Sequence, residues 1–442
     1  MCEDGFTLDA AFFWSILKKP PKNCNITGGH GPVLLYYTNT QWFSDAGVQM
    51  RAGQFVRQIE GYSAFIPAPL PPVPPPDLDG ETINLLSRAD RALGRLDGVS
   101  SILPNPELFV AMFVRQEAVL SSQIEGTQST LEDMLQFEAD TGADLPKDIG
   151  EVVNYVRAMN HGLVRLKELP LSLRLIREIH DRLLQGVRGG EKTPGEFRRT
   201  QNWIGPEGCT LATATFVPPP VHAMHSALAD LERFLHDTET LPALLHCALA
   251  HAQFETIHPF IDGNGRIGRL LITFLLCQRE ILHRPLLYLS SYLKAHRAEY
   301  YDRLTAIRLS GDWEGWIKFF LRGVFEVSQA ATATARKILA LREEHRQRVK
   351  HQVLLDYLFE QPLVSINMVQ DRLNCGFPTA SKYIEQFVEE GILRETTGYQ
   401  RNRRYRYDPY LSLFESPDFA PFAPTRDAKG DTQTTEMEKG RP

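Results

Sequence analysis

The stretch His258-Pro-Phe-Ile-Asp-Gly-Asn-Gly-Arg-Ile-Gly-Arg269 obliges the backbone to turn tightly and then run straight into a helix. Gly263 and Gly265 free the chain to adopt positive φ and to bring its N–H groups close to an anion, and Asn264 between them adds a side-chain amide donor. The residues that follow, Ile267 to Ile281, are rich in Leu, Ile and Phe, with neither Pro nor Gly beyond Gly268. They predict a buried helix whose N-terminal dipole favours an anion at the turn. Arg266 and Arg269, spaced i, i+3, can point to one side and neutralise neighbouring phosphates. Asp262 is the only carboxylate of the loop, a hard oxygen ligand of the kind Mg2+ takes beside phosphate oxygens and water. His258 changes protonation near neutral pH and is the candidate base for an attacking hydroxyl. An isolated Gly-x-Gly turn or a lone His is commonly structural. Base, metal ligand, flanking glycines and two arginines in one short loop select the reading as a nucleotide triphosphate cradle. It is neither a Walker loop nor a dinucleotide fingerprint, since there is no Gly-Lys-Ser/Thr and no G-x-G-x-x-G that follows a strand.

These residues resemble, position for position, the His-x-Phe-x-Asp/Glu-Gly-Asn-Gly-Arg-x-x-Arg motif of Fic-domain proteins, most of which transfer AMP from ATP to a hydroxyl side chain of a protein. The resemblance implies His258 as general base toward a Ser, Thr or Tyr of a target protein. It implies Asp262 as the Mg2+ ligand, Gly263, Asn264 and Gly265 as the anion hole, and Arg266 and Arg269 as the phosphate holders. A second stretch gains meaning beside the first. Ser121 and Glu125 stand four apart on one face at the end of a helix stopped by Gly126, by themselves an ordinary helix end. They resemble the Ser/Thr-x-x-x-Glu-Gly/Asn inhibitory motif of Fic proteins that carry it ahead of the catalytic core. In those proteins the Glu pairs with the last arginine of the loop, here Arg269. A looser resemblance downstream makes Tyr300 and Tyr301 nucleotide contacts.

A chain of 442 residues exceeds what one core usually serves. Cys2, Cys24, Cys209, Cys247, Cys277 and Cys375 form no C-x-x-C pair, which argues against a disulfide framework or zinc site and fits a reducing cytoplasm. No apolar run approaches the roughly 20 residues that span a bilayer, and Glu3 and Asp4 stand where an export signal would be basic. No membrane partner is expected. A net charge of −6 argues against broad nucleic-acid binding.

Residues 1–49 lack periodicity and contain Gly28-Gly29-His30-Gly31, so they form a poorly defined extension, with Met50 as a candidate true start. Pro67 to Pro76 should be extended; its Leu70-Pro71-Pro72 ahead of Asp77-Leu78 resembles the N-terminal extension of one Fic subgroup. Residues 50–150 are assigned to the region carrying the inhibitory helix and 151–345 to the catalytic domain, with helical spacing throughout Thr82 to Leu341. Phe197 to Val217, rich in Thr, Trp and Val and punctuated by Gly and Pro, reads equally as a short hairpin or a surface loop. The family resemblance implies a β-hairpin flap there, which puts Thr215, Phe216 and Val217 near nucleotide or target. In residues 351–411 helices over Val353–Phe359, Ile366–Leu373 and Thr379–Glu390 precede strands at Ile392–Glu395 and Arg401–Tyr407, a winged helix-turn-helix. Arg401, Arg403, Arg404 and Arg406 could meet phosphate, yet the third helix carries Glu385, Glu389 and Glu390, which favours interaction or dimerisation over DNA. Residues 416–442 read as a disordered tail.

The expectation is therefore a mostly α chain: a Fic helical fold with a β-hairpin flap, then a winged helix. Its expected function is protein adenylyltransferase, with ATP and Mg2+, acting on another protein or on itself and auto-inhibited by Glu125. Another donor, removal of AMP, or transcriptional regulation through the winged helix are the alternatives, and a homodimer is left open.

Overall fold

The computed structural model describes residues 51–101, 106–139, 148–206 and 208–415. The N-terminal extension over 1–49, the start at Met50 and the tail over 416–442 lie outside them. The described residues are mostly helical, as expected, but they begin with two strands the sequence reading did not foresee. These are β1 (Gly53–Arg57) and β2 (Ser63–Pro67), paired antiparallel with Phe55 opposite Phe65. The turn between them places Gly61 at φ 90°. The proline stretch after β2 is non-helical.

Helices then follow in chain order: α1 (Gly80–Ser101), α2 (Pro106–Ile124), α3 (Leu131–Ala139), α4 (Ile149–Arg165), α5 (Leu173–Leu184), α6 (Val221–His236), α7 (Ala243–Ile257) and α8 (Asn264–Gln278). Next come α9 (Ser290–Ala295), α10 (Arg297–Ser310) and the long α11 (Trp313–Arg348). The centre of the domain is α7, buried from Leu244 to Ile257, and it packs on α6, α8 and α11. A helix apolar all round belongs in a core, and each large side chain buried this way contributes about 1.5–3 kcal/mol. Several of its polar side chains find partners: His246 bonds the Phe234 carbonyl at 2.7 Å, Gln253 donates to the Ala68 carbonyl at 2.8 Å, and Thr256 to that of Ala252 at 2.8 Å.

The expected flap between Phe197 and Val217 is reduced to a single bridge, Ile204 with Phe216. Gly205-Pro206 and Gly208 interrupt the ladder beyond it, since Pro offers no N–H donor. β2 backs the flap instead, Phe65 N–H donating to the Val217 carbonyl at 2.9 Å.

The C-terminal unit comprises α12 (Gln352–Glu360), β3 (Leu363–Ser365), α13 (Ile366–Leu373), α14 (Phe377–Glu389), β4 (Arg394–Glu395), β5 (Arg404–Arg406) and α15 (Asp408–Glu415). Three helices and two strands lie close to their expected bounds. β3 was unforeseen, and it makes a three-stranded antiparallel sheet of order β3-β5-β4. α12 packs on α2, and Phe414 of α15 meets Phe113 of α2 with ring centroids 5.7 Å apart.

Packing leaves no room for a side chain where α4 meets α8. A Cβ on Gly162 would lie 2.3 Å from Cζ of Phe274, a ring held in the core. Gly162→Ala is therefore expected to destabilise the fold by about 1–3 kcal/mol through overpacking, read as a lowered urea midpoint; an unchanged midpoint would show that the two helices tolerate separation.

Candidate active site

His258 sits at a corner that the backbone adopts only under constraint. α7 ends at His258 with φ 48° and ψ 62°, a left-handed conformation rare for a non-glycine residue. Three bonds hold it there: His258 N–H donates to the Phe254 carbonyl at 3.0 Å, while Arg198 Nε and Asn202 Nδ2 donate to the His258 carbonyl at 3.0 and 3.2 Å. Arg198 is 1% exposed. It also binds the carbonyls of Thr200 and Pro219, and Asn202 reaches the Phe260 carbonyl at 2.8 Å. The imidazole Nδ1 is buried without a hydrogen-bond partner. Burial, then the positive charges of Arg308 and Arg198, hold its pKa down to about 4, so the ring is a neutral free base at neutral pH.

The turn that follows differs in part from the expected cradle. Gly263 takes φ 78° and starts α8, but Gly265 is helical rather than left-handed. Space explains Gly265: a Cβ there would lie 2.2 Å from Glu125 Oε1 and 3.0 Å from Arg269 Nη1. Asn264, 2% exposed, does not present its amide to an incoming anion. The amide closes the loop on itself, with Nδ2 donating to the Phe260 carbonyl and Oδ1 accepting from the Phe260 N–H, both at 2.9 Å. Buried amides must find partners, and the turn supplies them. The donors left facing the turn are the first N–H groups of α8, which have no carbonyl within the helix.

Asp262 stands at the rim. Its Oδ1 accepts from Gly263 N–H at 2.6 Å, and the side chain is 36% exposed. A Cβ on Gly189 would come within 2.7 Å of Oδ2, so Gly189, at φ 86°, leaves the carboxylate room. His180 supports it from below, with Nε2 donating to the Asp262 carbonyl at 3.0 Å and Nδ1 accepting from Gly195 N–H at 2.9 Å. Its ring stacks on Phe260 with centroids 3.7 Å apart. Burial holds His180 near a pKa of about 4, keeping it neutral.

The two arginines diverge instead of sharing one side. Arg266, 1% exposed, turns to Glu151 at 2.9 Å and to Asp262 at 3.5 Å. A buried guanidinium needs carboxylates, and Glu151 of α4 supplies one. Arg269 turns the other way. Its Nε donates to Ser121 Oγ at 2.7 Å, and its Nη2 to the Ser121 carbonyl at 3.0 Å and Glu125 Oε1 at 2.6 Å. α2 ends at Ile124 and Gly126 takes φ 95°, the stop that aims Glu125 at the loop. Burial opposes ionisation of both partners. The Arg269 guanidinium nonetheless pulls the Glu125 carboxyl below its usual range, and Glu125, Tyr300 and Tyr301 hold Arg269 above its own.

Of the tyrosines, Tyr300 is 1% exposed and its hydroxyl is held by His251 Nε2 at 2.9 Å, so its ring is a wall of the site and its hydroxyl is already engaged. Tyr301 is 40% exposed, with Arg297 5.4 Å over its ring. In the flap Thr215 is exposed, whereas Phe216 and Val217 are buried, Phe216 beneath Arg308 at 3.9 Å. Sequence reasoning missed Glu151, His180, Arg198, Asn202, Glu255 and Arg308. All but Glu255, which stands one turn before His258 on α7, join the site through tertiary packing from other elements, so no local spacing marks them. Glu255 is buried against Gly268, where a Cβ would lie 2.3 Å from Oε1, and burial pushes its carboxyl up to about 7. A cleft of about 840 Å3 lies elsewhere, lined by Ser365, Phe377, Arg401 and Arg403 among others.

Comparison with known proteins assigns the loop a family. The model for the Fic/DOC family N-terminal region matches residues 83–164, and that for the Fic/DOC family matches 170–276. The chain is 26% identical over 207 residues to a probable protein adenylyltransferase of Aquifex aeolicus, spanning 46% of this chain and 58% of that protein. It is 32% identical over 166 residues to protein adenylyltransferase Fic of Drosophila grimshawi, spanning 37% of this chain and 30% of that protein. It thus covers less than two thirds of either relative. Among solved structures, a Fic family protein from Desulfovibrio desulfuricans aligns with a TM-score of 0.49 at 22% identity, covering 75% of this chain and 97% of that one. A Fic domain containing signaling protein from Bacteroides thetaiotaomicron aligns at 0.44 and 20%, covering 58% and 97%. The N-terminal match carries the helix of Ser121 and Glu125, and the second match carries the loop from His258 to Arg269, so both parts of the site lie in segments similar to the Fic/DOC family.

Proposed function

We propose that the chain is a protein adenylyltransferase that moves AMP from ATP to a Ser, Thr or Tyr hydroxyl of a target protein or of itself, and that Glu125 restrains it. The observation that carries the reading is His258 held in a left-handed corner beside the turn that opens α8, whose N-terminus has no side-chain cap. His258 takes the hydroxyl proton, the oxygen attacks the α-phosphorus in line, and pyrophosphate leaves as the new P–O bond forms. The α8 N-terminus stabilises the charge that develops on the phosphoryl oxygens. Asp262 fits a magnesium ion: one exposed carboxylate, with space beside it, suits a metal whose remaining ligands are phosphate oxygens and water. Bound there, the ion would neutralise triphosphate charge. The relatives named protein adenylyltransferase and probable protein adenylyltransferase support the choice of AMP over other groups.

Restraint follows from charge. Glu125 occupies the guanidinium of Arg269 that a γ-phosphate would need, and its own negative charge repels that phosphate. In the C-terminal unit, Arg404 donates to the Ala139 carbonyl at 2.8 Å and Arg406 to Glu132 at 3.1 Å. Those two arginines hold α3, which supports an interaction role for this winged-helix-like unit over the reading of DNA.

Self-modification measured by intact mass after incubation with ATP and Mg2+ tests the reading. An AMP adduct is expected, lost in excess chelator; a phosphocholine or UMP adduct from the matching donor would replace the assignment. His258→Ala should lose roughly two orders of magnitude or more in rate while still binding ATP, and an unimpaired rate would remove His258 from the mechanism.

Glu125→Gly should raise both ATP affinity and self-modification, and adding Arg269→Ala should cancel the gain. A Glu125→Gly protein no more active than wild type, with an intact circular dichroism spectrum, would leave Glu125 an ordinary helix-end carboxylate.

The histidines give a pH test. His180, His251 and His258 each have a pKa lowered from 6.5 to about 4, burial being the first cause in each. The unfolded chain takes up their protons first, so stability is full above 6.5 and falls as pH drops toward 4. The urea midpoint should decline across that window, and a flat profile would mean these rings are charged in the folded protein.

A further inference from the structure

Arg308 of α10 is 7% exposed, and no carboxylate among the described residues pairs with it. Its Nε donates to Thr256 Oγ1 and its Nη2 to the Glu255 carbonyl, both at 3.3 Å. These are neutral acceptors in the last turn of α7, the helix that ends at His258. On its other side the guanidinium carbon lies 3.9 Å from the centre of the Phe216 ring. Phe216 is the flap residue bridged to Ile204, and the next residue, Val217, takes the β2 bond from Phe65. A buried cation whose hydrogen-bond acceptors are all neutral is costly to keep, and stacking on an aromatic face offsets part of that cost.

We propose that Arg308 is a positioning residue with two actions: its flat face latches the flap beside the base, and its unpaired charge opposes a second cation at His258. The inference rests on the transfer reading above only for its consequence, that the base stays free to accept a proton. The surroundings of His258 agree. After burial, Arg308 contributes most to keeping the imidazole unprotonated, followed by Arg198 behind the loop, whereas the Glu255 carbonyl and the Glu125 carboxylate act in the opposite sense. Arg308 is itself pushed down to about 10 by burial, against the opposing pull of the Glu255 carboxyl and then of Tyr300, neither of which is hydrogen-bonded to it.

The two actions separate by substitution. Arg308→Lys keeps the charge and loses the planar face; Arg308→Met covers the Phe216 ring and loses the charge. In the full chain, nitrogen-detected NMR follows His258, and hydrogen exchange follows the Ile204 and Phe216 amides. The Met variant is expected to raise the His258 titration midpoint by about one unit, a tenfold change in free base within the titration window. The Lys variant should leave that midpoint near its wild-type value while exchange at Ile204 and Phe216 accelerates severalfold. A midpoint in the Met variant equal to wild type, or flap exchange in the Lys variant equal to wild type, would overturn the corresponding action. Should the Met variant not fold, Arg308→Gln takes its place in the titration. Neither readout needs turnover, so a Glu125→Gly protein that transfers nothing would sink the transfer reading and leave this inference standing on its own measurements.

Discussion

A guanidinium that is 2% exposed has to be compensated on the spot, and the compensation of Arg269 organises the elements around it. Ser121 and Glu125 satisfy it from the end of α2, which fixes where that helix stops and how closely it approaches α8. The approach in turn requires Gly265, because any side chain there would strike the Glu125 carboxylate. One turn further along α8, Gly268 makes the same allowance for Glu255. Two glycines on one helical face thus admit two carboxylates, one on a rim open to solvent and one sealed in the core. Removing one member of such a pair leaves an uncompensated buried charge, unless a ligand of like charge replaces it.

Much of this was legible along the chain because it is local. The turn into α8, the stop at Gly126 and the helices of the C-terminal unit each rest on residues a few positions apart, where glycine freedom and helical periodicity decide the outcome. The pairing of Arg269 with Glu125 was reachable only through the family resemblance, since nothing in the spacing of α2 and α8 says they meet. What stayed hidden was long-range. Arg266 was expected to share the phosphate site, but Glu151 is buried beside it and captures it first. Asn264 was expected to offer its amide outward, but burial turned that amide onto Phe260. Tyr300 has its hydroxyl engaged by His251, a partner many residues upstream. β1 and β2 carry weak alternation, and their pairing is set by a turn at Gly61 and by the flap they support.

The flap shows how tertiary partners override a local pattern. Between Phe197 and Val217 the sequence is equally suited to hairpin or loop, and the chain keeps only one bridge of the hairpin. Its order comes from outside, through Phe65 on one side and the Arg308 guanidinium on the other. Arg198 adds a third tie at its base, joining the Pro219 and His258 carbonyls through one side chain. Flap and catalytic corner are therefore built on common supports.

α11 runs unbroken for 36 residues, about 54 Å at the usual rise per residue. Its first part lies against α1 and α7, and its far part meets α12 and α15. Geometrically this is a rigid arm with its pivot in the catalytic core. A rotation of only about 3° about that pivot would carry the distal end through roughly 2–3 Å over such a length. Because the distal unit also grips α2 through Phe414 and α3 through Arg406, the arm and the helix bearing Glu125 form two sides of a closed frame, in which neither can swing without straining the other.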